Sequence, residues 1–288
     1  MKLASVLSTI AILATSVVAA PTPEGAMGHG LAARVAARSE RRAPGTLQHL
    51  TKPLIKTGSA EFTHGINENA TKTHVQYSSN WAGAVIEEPP TGTFTAVVGT
   101  FTVPAPNPPT GGSSRTTYAA SAWVGIDGDT YGEAILQTGI DFEAQGDEVA
   151  FSAWYEWYPD YAYDFSLDVS EGDVIALSAK SSSSTRGTVV INNLTTGKSV
   201  SKTLSAPDAS SPLGGQNAEW IVEDFESNGS LVAFADFGKV VFTGATATTS
   251  SGTTVGPDTA EIIEIKSGNT VLTDVSIDSD SQLTVTYV

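Results

Sequence analysis

The run "AILQTGIDFE" (134–143), followed after a short Gly/Asp-containing gap by "VAFSAWYEWYP" (149–159), sets the character of the chain. Both segments are short, rich in Ile, Val, Phe, Tyr and Trp, and bounded by Gly, Asp and Pro. That is the composition of β-strands. The pattern recurs on either side: "WAGAVIE", "FTAVVGTFTVP" and "SAWVGID" before it; "VIALSAKS", "GTVVINNLT", "AEWIVEDFE", "KVVFTGATA", "AEIIEIKSG", "TVLTDVSID" and "SQLTVTYV" after it. From Tyr77 onward no stretch shows sustained helical spacing. About a dozen such strands predict an all-β fold, a jelly-roll-like antiparallel sandwich of two large sheets. No internal repeat suggests a propeller. Sheets packed face to face can curve their outer surface into a groove, so function is expected on a concave face.

Charge divides the chain in two. Residues 1–76 hold 8 of the 15 Lys and Arg and only 4 of the 31 acidic residues, so residues 77–288 have 7 basic and 27 acidic groups, a formal charge of −20. Such a surface repels nucleic acid and anionic lipid, and it suits acidic surroundings because protonation relieves its self-repulsion. Residues 1–20, "MKLASVLSTIAILATSVVAA", have the form of a secretory signal peptide, too short to be a membrane span. We expect a secreted, extracellular, monomeric protein. Residues 21–76, with the helix-compatible "LAARVAARSERR" and a dibasic Arg41-Arg42, read as a basic pro-segment. Charge complementarity would lay it over an acidic cleft as an intramolecular inhibitor, with removal near residues 70–77; a disordered basic spacer is the alternative.

Missing residue types narrow the chemistry. All four histidines (His29, His49, His64, His74) precede residue 77 and there is no cysteine. The body therefore has no Ser-His-Asp triad, Cys-His pair, His-based metal site or disulfide, and no cofactor or metal is expected. "GIDGDTYGE" places Asp127, Asp129 and Glu133 at alternate positions, but Tyr131 and Thr138 stand where a calcium loop needs oxygen donors; a turn braced by Asp side chains is the better reading. "ILQTGI" resembles the aspartic-peptidase strand except that Gln137 replaces the Asp, so the two-aspartate mechanism fails. "FSAWYEWYPDYAYDF" (151–165) suits either a polymer-binding groove or a core aromatic cluster. "NAEWIVEDFE" (217–226) places Glu219, Glu223, Asp224 and Glu226 in a strand that otherwise looks buried, either to protect an edge or to mark a functional floor.

Taken in order, "SSNWAGAV", "SAWVGIDGDTYGEAILQTG", "AWYEWYP", "SEGD", "NLTTGK", "NAEWIVEDFE" and the closing "VTYV" resemble the eqolisins, the fungal glutamic peptidases, over most of residues 77–288. The resemblance implies a β-sandwich, a pre-pro precursor, and acid-acting, pepstatin-insensitive endopeptidase activity on protein or peptide substrates. By motif match it puts the catalytic pair on Glu223 and Gln137. Groove residues are implied at Trp81, Trp123 and Trp154, with Glu156 as a supporting acid and Asp141 as a further substrate contact. The chain departs from the family at Tyr131, where members carry a cysteine, and at Ser152, where some carry an acid. Glutamate suits a general base at acid pH, and an amide partner avoids the repulsion that makes two aspartates share a proton. Two other classes stay open: a jelly-roll glycoside hydrolase using Glu223 and Glu156, and a noncatalytic carbohydrate-binding domain using the Trp surface. Asn69, Asn193 and Asn228 lie in glycosylation sequons, and "SAPDASSPLGGQ" (205–216) is a site where some relatives are cut.

Overall fold

A computed structural model describes residues 30–31, 49–64 and 71–288. The expected signal peptide, all of the helix-compatible stretch after Leu31, Arg41-Arg42 and Asn69 lie outside the described residues.

The principal strands are β1 (Lys56–His64), β2 (Thr71–Ser78), β3 (Trp81–Ile86), β4 (Phe94–Thr102), β5 (Tyr118–Ile126), β6 (Ile135–Gln145), β7 (Glu148–Tyr158), β8 (Val174–Ser183), β9 (Arg186–Asn193), β10 (Lys198–Ser205), β11 (Ala218–Glu223), β12 (Lys239–Thr249), β13 (Glu261–Ser267), β14 (Thr273–Ser279) and β15 (Gln282–Tyr287). They form the expected two large sheets. One runs β1-β2-β13-β3-β11-β5-β6-β7, the other β10-β9-β8-β4-β12-β15-β14. Pairing among these strands is antiparallel except for β2 with β13. Strand β2 crosses the expected 76/77 boundary, so the leader is hydrogen-bonded into the sheet rather than hanging from it.

Strand alternation sorts the side chains. On β11, Trp220 and Val222 enter the core between the sheets with Phe101, Leu136, Trp157 and Phe242, whereas Ile221 packs on the opposite face with Trp81, Trp123 and Trp154. Burying one such indole contributes roughly 4 to 6 kcal/mol by apolar area. Trp220 also donates from Nε1 to Val98 O on the facing sheet (2.7 Å), which fixes how the sheets sit. The aromatic run 151–165 divides between two faces: Trp157 and Tyr155 pack on the core side, and Trp154 and Glu156 take the other face.

Two loops hold β11 in place. Asp127 accepts hydrogen bonds from the backbone N–H groups of Gly214, Gly215, Gln216 and Asn217 (2.7 to 3.4 Å). The Asp of "GIDGD" therefore braces the distant 214–217 segment rather than its own turn. Tyr131 donates its hydroxyl to Pro212 O (2.7 Å), a noncovalent tie between the same two loops. Among the described residues no cluster of three or more His, Cys, Asp or Glu could hold a metal ion. Asn193 is buried and its Nδ2 donates to Asp173 (2.7 Å), so its sequon is closed to a glycan, whereas Asn228 is exposed.

Candidate active site

The face of the first sheet that points away from the core carries three cross-strand rows. The first reads Val85, Glu219, Gly125, Gln137, Glu156; the second Gly83, Ile221, Trp123, Gly139, Trp154; the third Trp81, Glu223, Ser121, Asp141, Ser152. All seven residues singled out in the sequence thus share one patch of five adjacent strands. Glycine gives the large side chains room: a Cβ at Gly125 would lie 2.7 Å from Glu219 Oε1 and 2.8 Å from Trp123 Cζ3, and one at Gly139 would lie 2.9 Å from Trp154 Cζ2.

Glu223 and Gln137 occupy different rows, and the Trp123 indole joins them. Its Nε1 donates to Glu223 Oε2 at 3.0 Å. Its far ring edge closes on the point above Gly125 that Gln137 Cβ approaches to 3.3 Å. Burial pushes the Glu223 carboxyl well above the usual range; the Thr51 hydroxyl and the indoles of Trp123 and Trp81 oppose that shift, and the charge of Asp224 adds to it. Glu156 is likewise raised by burial and by the charges of Glu223 and Asp141, against the N–H of Thr51. Both amide atoms of Gln137, one oxygen each of Glu223, Glu156 and Asp141, and both oxygens of Glu219 are buried without a hydrogen-bond partner. Buried polar atoms are usually satisfied, so such a cluster marks a surface built to meet a ligand.

A segment of the leader lies across this face. Its backbone is fixed at successive points: Ala162 N–H donates to His49 O, Thr51 N–H to Glu156 Oε2 (3.2 Å), Leu54 N–H to Gly128 O and Ile55 N–H to Asn80 Oδ1. His49 bonds Asp141 through Nδ1 (2.9 Å), stacks on Phe225 (4.1 Å between ring centroids) and meets the edge of Trp154. Thr51, wholly buried, spans Glu156 and Glu223. Lys52 pairs with Glu226, and Lys56 with Asp129 (2.8 Å each). Among the described residues of the leader, backbone hydrogen bonds and the buried side chains of His49 and Thr51 join these lysine pairs in the contact, and nothing in the leader's composition singled out His49 or Thr51. Glu219 lies in the same row as Gln137, with Gly125 between them.

Comparison with known proteins places these features. The model of the peptidase A4 family matches residues 79–287. Aspergillopepsin-2 of Aspergillus niger is 46% identical, with 100% of both chains covered. Scytalidopepsin B of Scytalidium lignicola is 38% identical over 97% of this chain and 99% of its own. Among solved structures, scytalido-glutamic peptidase with a transition state analog inhibitor superposes with a TM-score of 0.64 at 41% identity, covering 73% of this chain and 98% of that one. Aspergilloglutamic peptidase from Aspergillus niger gives 0.57 at 55% identity, covering 59% and 99%.

Proposed function

Since the chain belongs to the peptidase A4 family and is a glutamic-type endopeptidase, we propose that Glu223 and Gln137 carry its chemistry, that it is secreted, and that the leader inhibits it until removed. The observation that carries the catalytic reading is the pair of fully buried side chains at the two edges of Trp123, each with polar atoms left unpartnered on a Trp-walled floor. Ionised Glu223 takes a proton from a water molecule, and the resulting nucleophile attacks the scissile carbonyl carbon. Gln137 donates from Nε2 to the oxyanion that forms. Glu223 then passes the proton to the amide nitrogen as the C–N bond breaks, so the carboxylate is regenerated and amine and carboxylic acid leave.

Energetics support the division of labour. Loss of one oxyanion donor costs about 2.7 to 4 kcal/mol of transition-state stabilisation, a hundredfold or more in kcat. Trp123 stabilises the ionised base, without which a fully buried carboxyl stays protonated in acid. The leader's backbone and its Thr51 engage Glu156 and Glu223, the latter assigned to the water, which supports the reading of a self-inhibited precursor. The glycosidase and carbohydrate-binding alternatives have no support from the family.

The test is hydrolysis of denatured haemoglobin at about pH 3, within the carboxylate range, with pepstatin present. Proteolysis should persist in the wild type and vanish in Glu223→Gln and Gln137→Ala; wild-type rates in both variants overturn the assignment. N-terminal sequencing of active secreted protein that still begins near residue 21 would overturn leader removal.

A further inference from the structure

To act as an oxyanion donor, Gln137 must present Nε2 rather than Oε1 to the carbonyl, and an amide supplies a donor and an acceptor on the same flat group. Something has to fix its sense. Glu219 is placed to do so: it faces Gln137 across Gly125, and Glu219 Oε1 and Gln137 Cβ approach one point above that glycine to 2.7 and 3.3 Å. All four polar atoms of the two side chains are buried and unpartnered. An unsatisfied buried polar group is costly, so the two gain by meeting. We propose that Glu219, as a neutral carboxylic acid, donates a hydrogen bond to Gln137 Oε1 and thereby aims Nε2 at the substrate carbonyl, and that its ionisation reverses the amide and closes the enzyme at higher pH. The proposal rests on the reading of Gln137 as oxyanion donor, and it makes Glu219 a positioning residue.

The surroundings favour the neutral form. Val85, Trp123 and Ile221 are apolar neighbours that remain when the leader leaves. The charged groups near Glu219 are Asp127 and Asp129, on the loop after β5; Lys56, which pairs with Asp129 and Glu87 here, belongs to the leader and departs with it. Along the row, Glu156 lies beyond Gln137 and Glu261 beyond Val85. Burial first, and then the charges of Asp127 and Asp129, hold the Glu219 carboxyl well above its ordinary value, with no donor to oppose them. Glu223 has Trp123 to stabilise its anion. The two carboxyls are therefore driven apart: Glu223 loses its proton first and opens the active range, and Glu219 loses its proton later and ends it.

The experiment measures kcat and KM on an internally quenched peptide between about pH 2 and 7, using acid-activated wild type, Glu219→Gln and Glu219→Leu. Leucine, with no donor, should lower kcat about tenfold or more with little change in KM. Glutamine can donate to Gln137 Oε1 at every pH, so it should recover most of kcat and move the alkaline limb up by about one pH unit or more. An unmoved alkaline limb in Glu219→Gln overturns the proposal, as does wild-type kcat in Glu219→Leu. Should the leucine variant fail to fold, the limb of the glutamine variant still decides. If Gln137→Ala itself keeps wild-type activity, the underlying catalytic reading fails instead.

Discussion

Replacing Trp123 with Phe tests how a fully buried carboxyl can serve as a base in acid. The substitution keeps most of the ring on the floor of the site and removes the Nε1 donor that lies 3.0 Å from Glu223 Oε2. A hydrogen bond to a charged group contributes about 1.5 to 3 kcal/mol, and one pKa unit corresponds to about 1.36 kcal/mol. The Glu223 pKa, already raised by burial, should therefore rise by about one to two further units. The base must be ionised to act, so the acid limb of kcat/KM moves up by the same amount. At the wild-type midpoint of that limb, the ionised fraction falls from half to between about a tenth and a hundredth, a rate loss of roughly 5- to 50-fold. Release of the leader removes the Thr51 hydroxyl from the carboxyl and leaves the Trp123 donor a larger share of the effect. The smaller ring also leaves a cavity costing on the order of 1 to 3 kcal/mol of stability; this appears as a lower Tm at every pH and is separable from a shift of the limb. A pH series of kcat/KM on a quenched peptide, read beside thermal melts, makes the measurement. An acid limb that stays within about 0.3 unit of wild type refutes the idea that Trp123 holds the base ionised.

The same geometry yields three further expectations. A peptide of residues 49–56 should inhibit the processed enzyme, and His49→Ala in that peptide should raise its Ki about tenfold or more, because losing one partner of a buried hydrogen bond costs about 1 to 3 kcal/mol; equal Ki values would show that the His49–Asp141 contact does not hold the leader. Asp224 is buried, and its pKa is pushed up to about 8 by burial; against an unfolded value near 3.9, its contribution to stability is present below that value and lost as pH rises through about 8, by up to about 5 to 6 kcal/mol. Asp224→Asn should then match wild type in Tm at about pH 3 and exceed it at about pH 8, and the same difference at both pH values would refute the assignment. Gly125→Ala puts a methyl 2.7 Å from Glu219 Oε1 and 2.8 Å from Trp123 Cζ3; displaced floor side chains should cost on the order of 1 to 3 kcal/mol and depress kcat more than KM, and unchanged kinetics would mean the floor adjusts freely.

The sandwich was legible in the sequence because local rules suffice for it: period-two segments such as "SAWVGID", punctuated by Gly, Pro and Asp, specify strands wherever they fall. The broken pattern of "NAEWIVEDFE" was legible as a functional mark, since the face opposite Trp220 and Val222 mixes Glu219 and Glu223 with the apolar Ile221, which suits neither a core nor a solvated surface. Register was not legible. Whether Gln137 faces Glu219 or Glu223 depends on pairings that join β11 to β5 and β5 to β6, and no local feature states them. Gln137 on its own read as an ordinary strand residue and was identified only through resemblance. The leader's charge suggested an electrostatic lid; over Glu156 and Asp141 its described residues also engage through the Thr51 N–H and the His49 side chain, contacts that charge and composition do not announce.

The acid dependence itself changes meaning once the side chains are placed. A formal charge of −20 on residues 77–288 suggested that low pH stabilises the protein by relieving repulsion spread over its surface. Repulsion of that kind is long-ranged and is screened within about 8 to 10 Å by ordinary salt. Glu156, Glu219, Glu223 and Asp224 are different: all four are buried on or beside one strand-lined floor, and all four are raised, with burial the first cause in each case. Desolvation is not screened by salt, so the loss of stability and activity toward neutrality should survive added salt if these carboxyls cause it, and fade if the surface does. The buried set also supplies what a surface cannot, a division of protonation states among neighbours. Trp123 favours the anion at Glu223, while Asp127 and Asp129 disfavour it at Glu219. Acid pH is in that case the condition under which one carboxyl of the floor is charged and its neighbour is not.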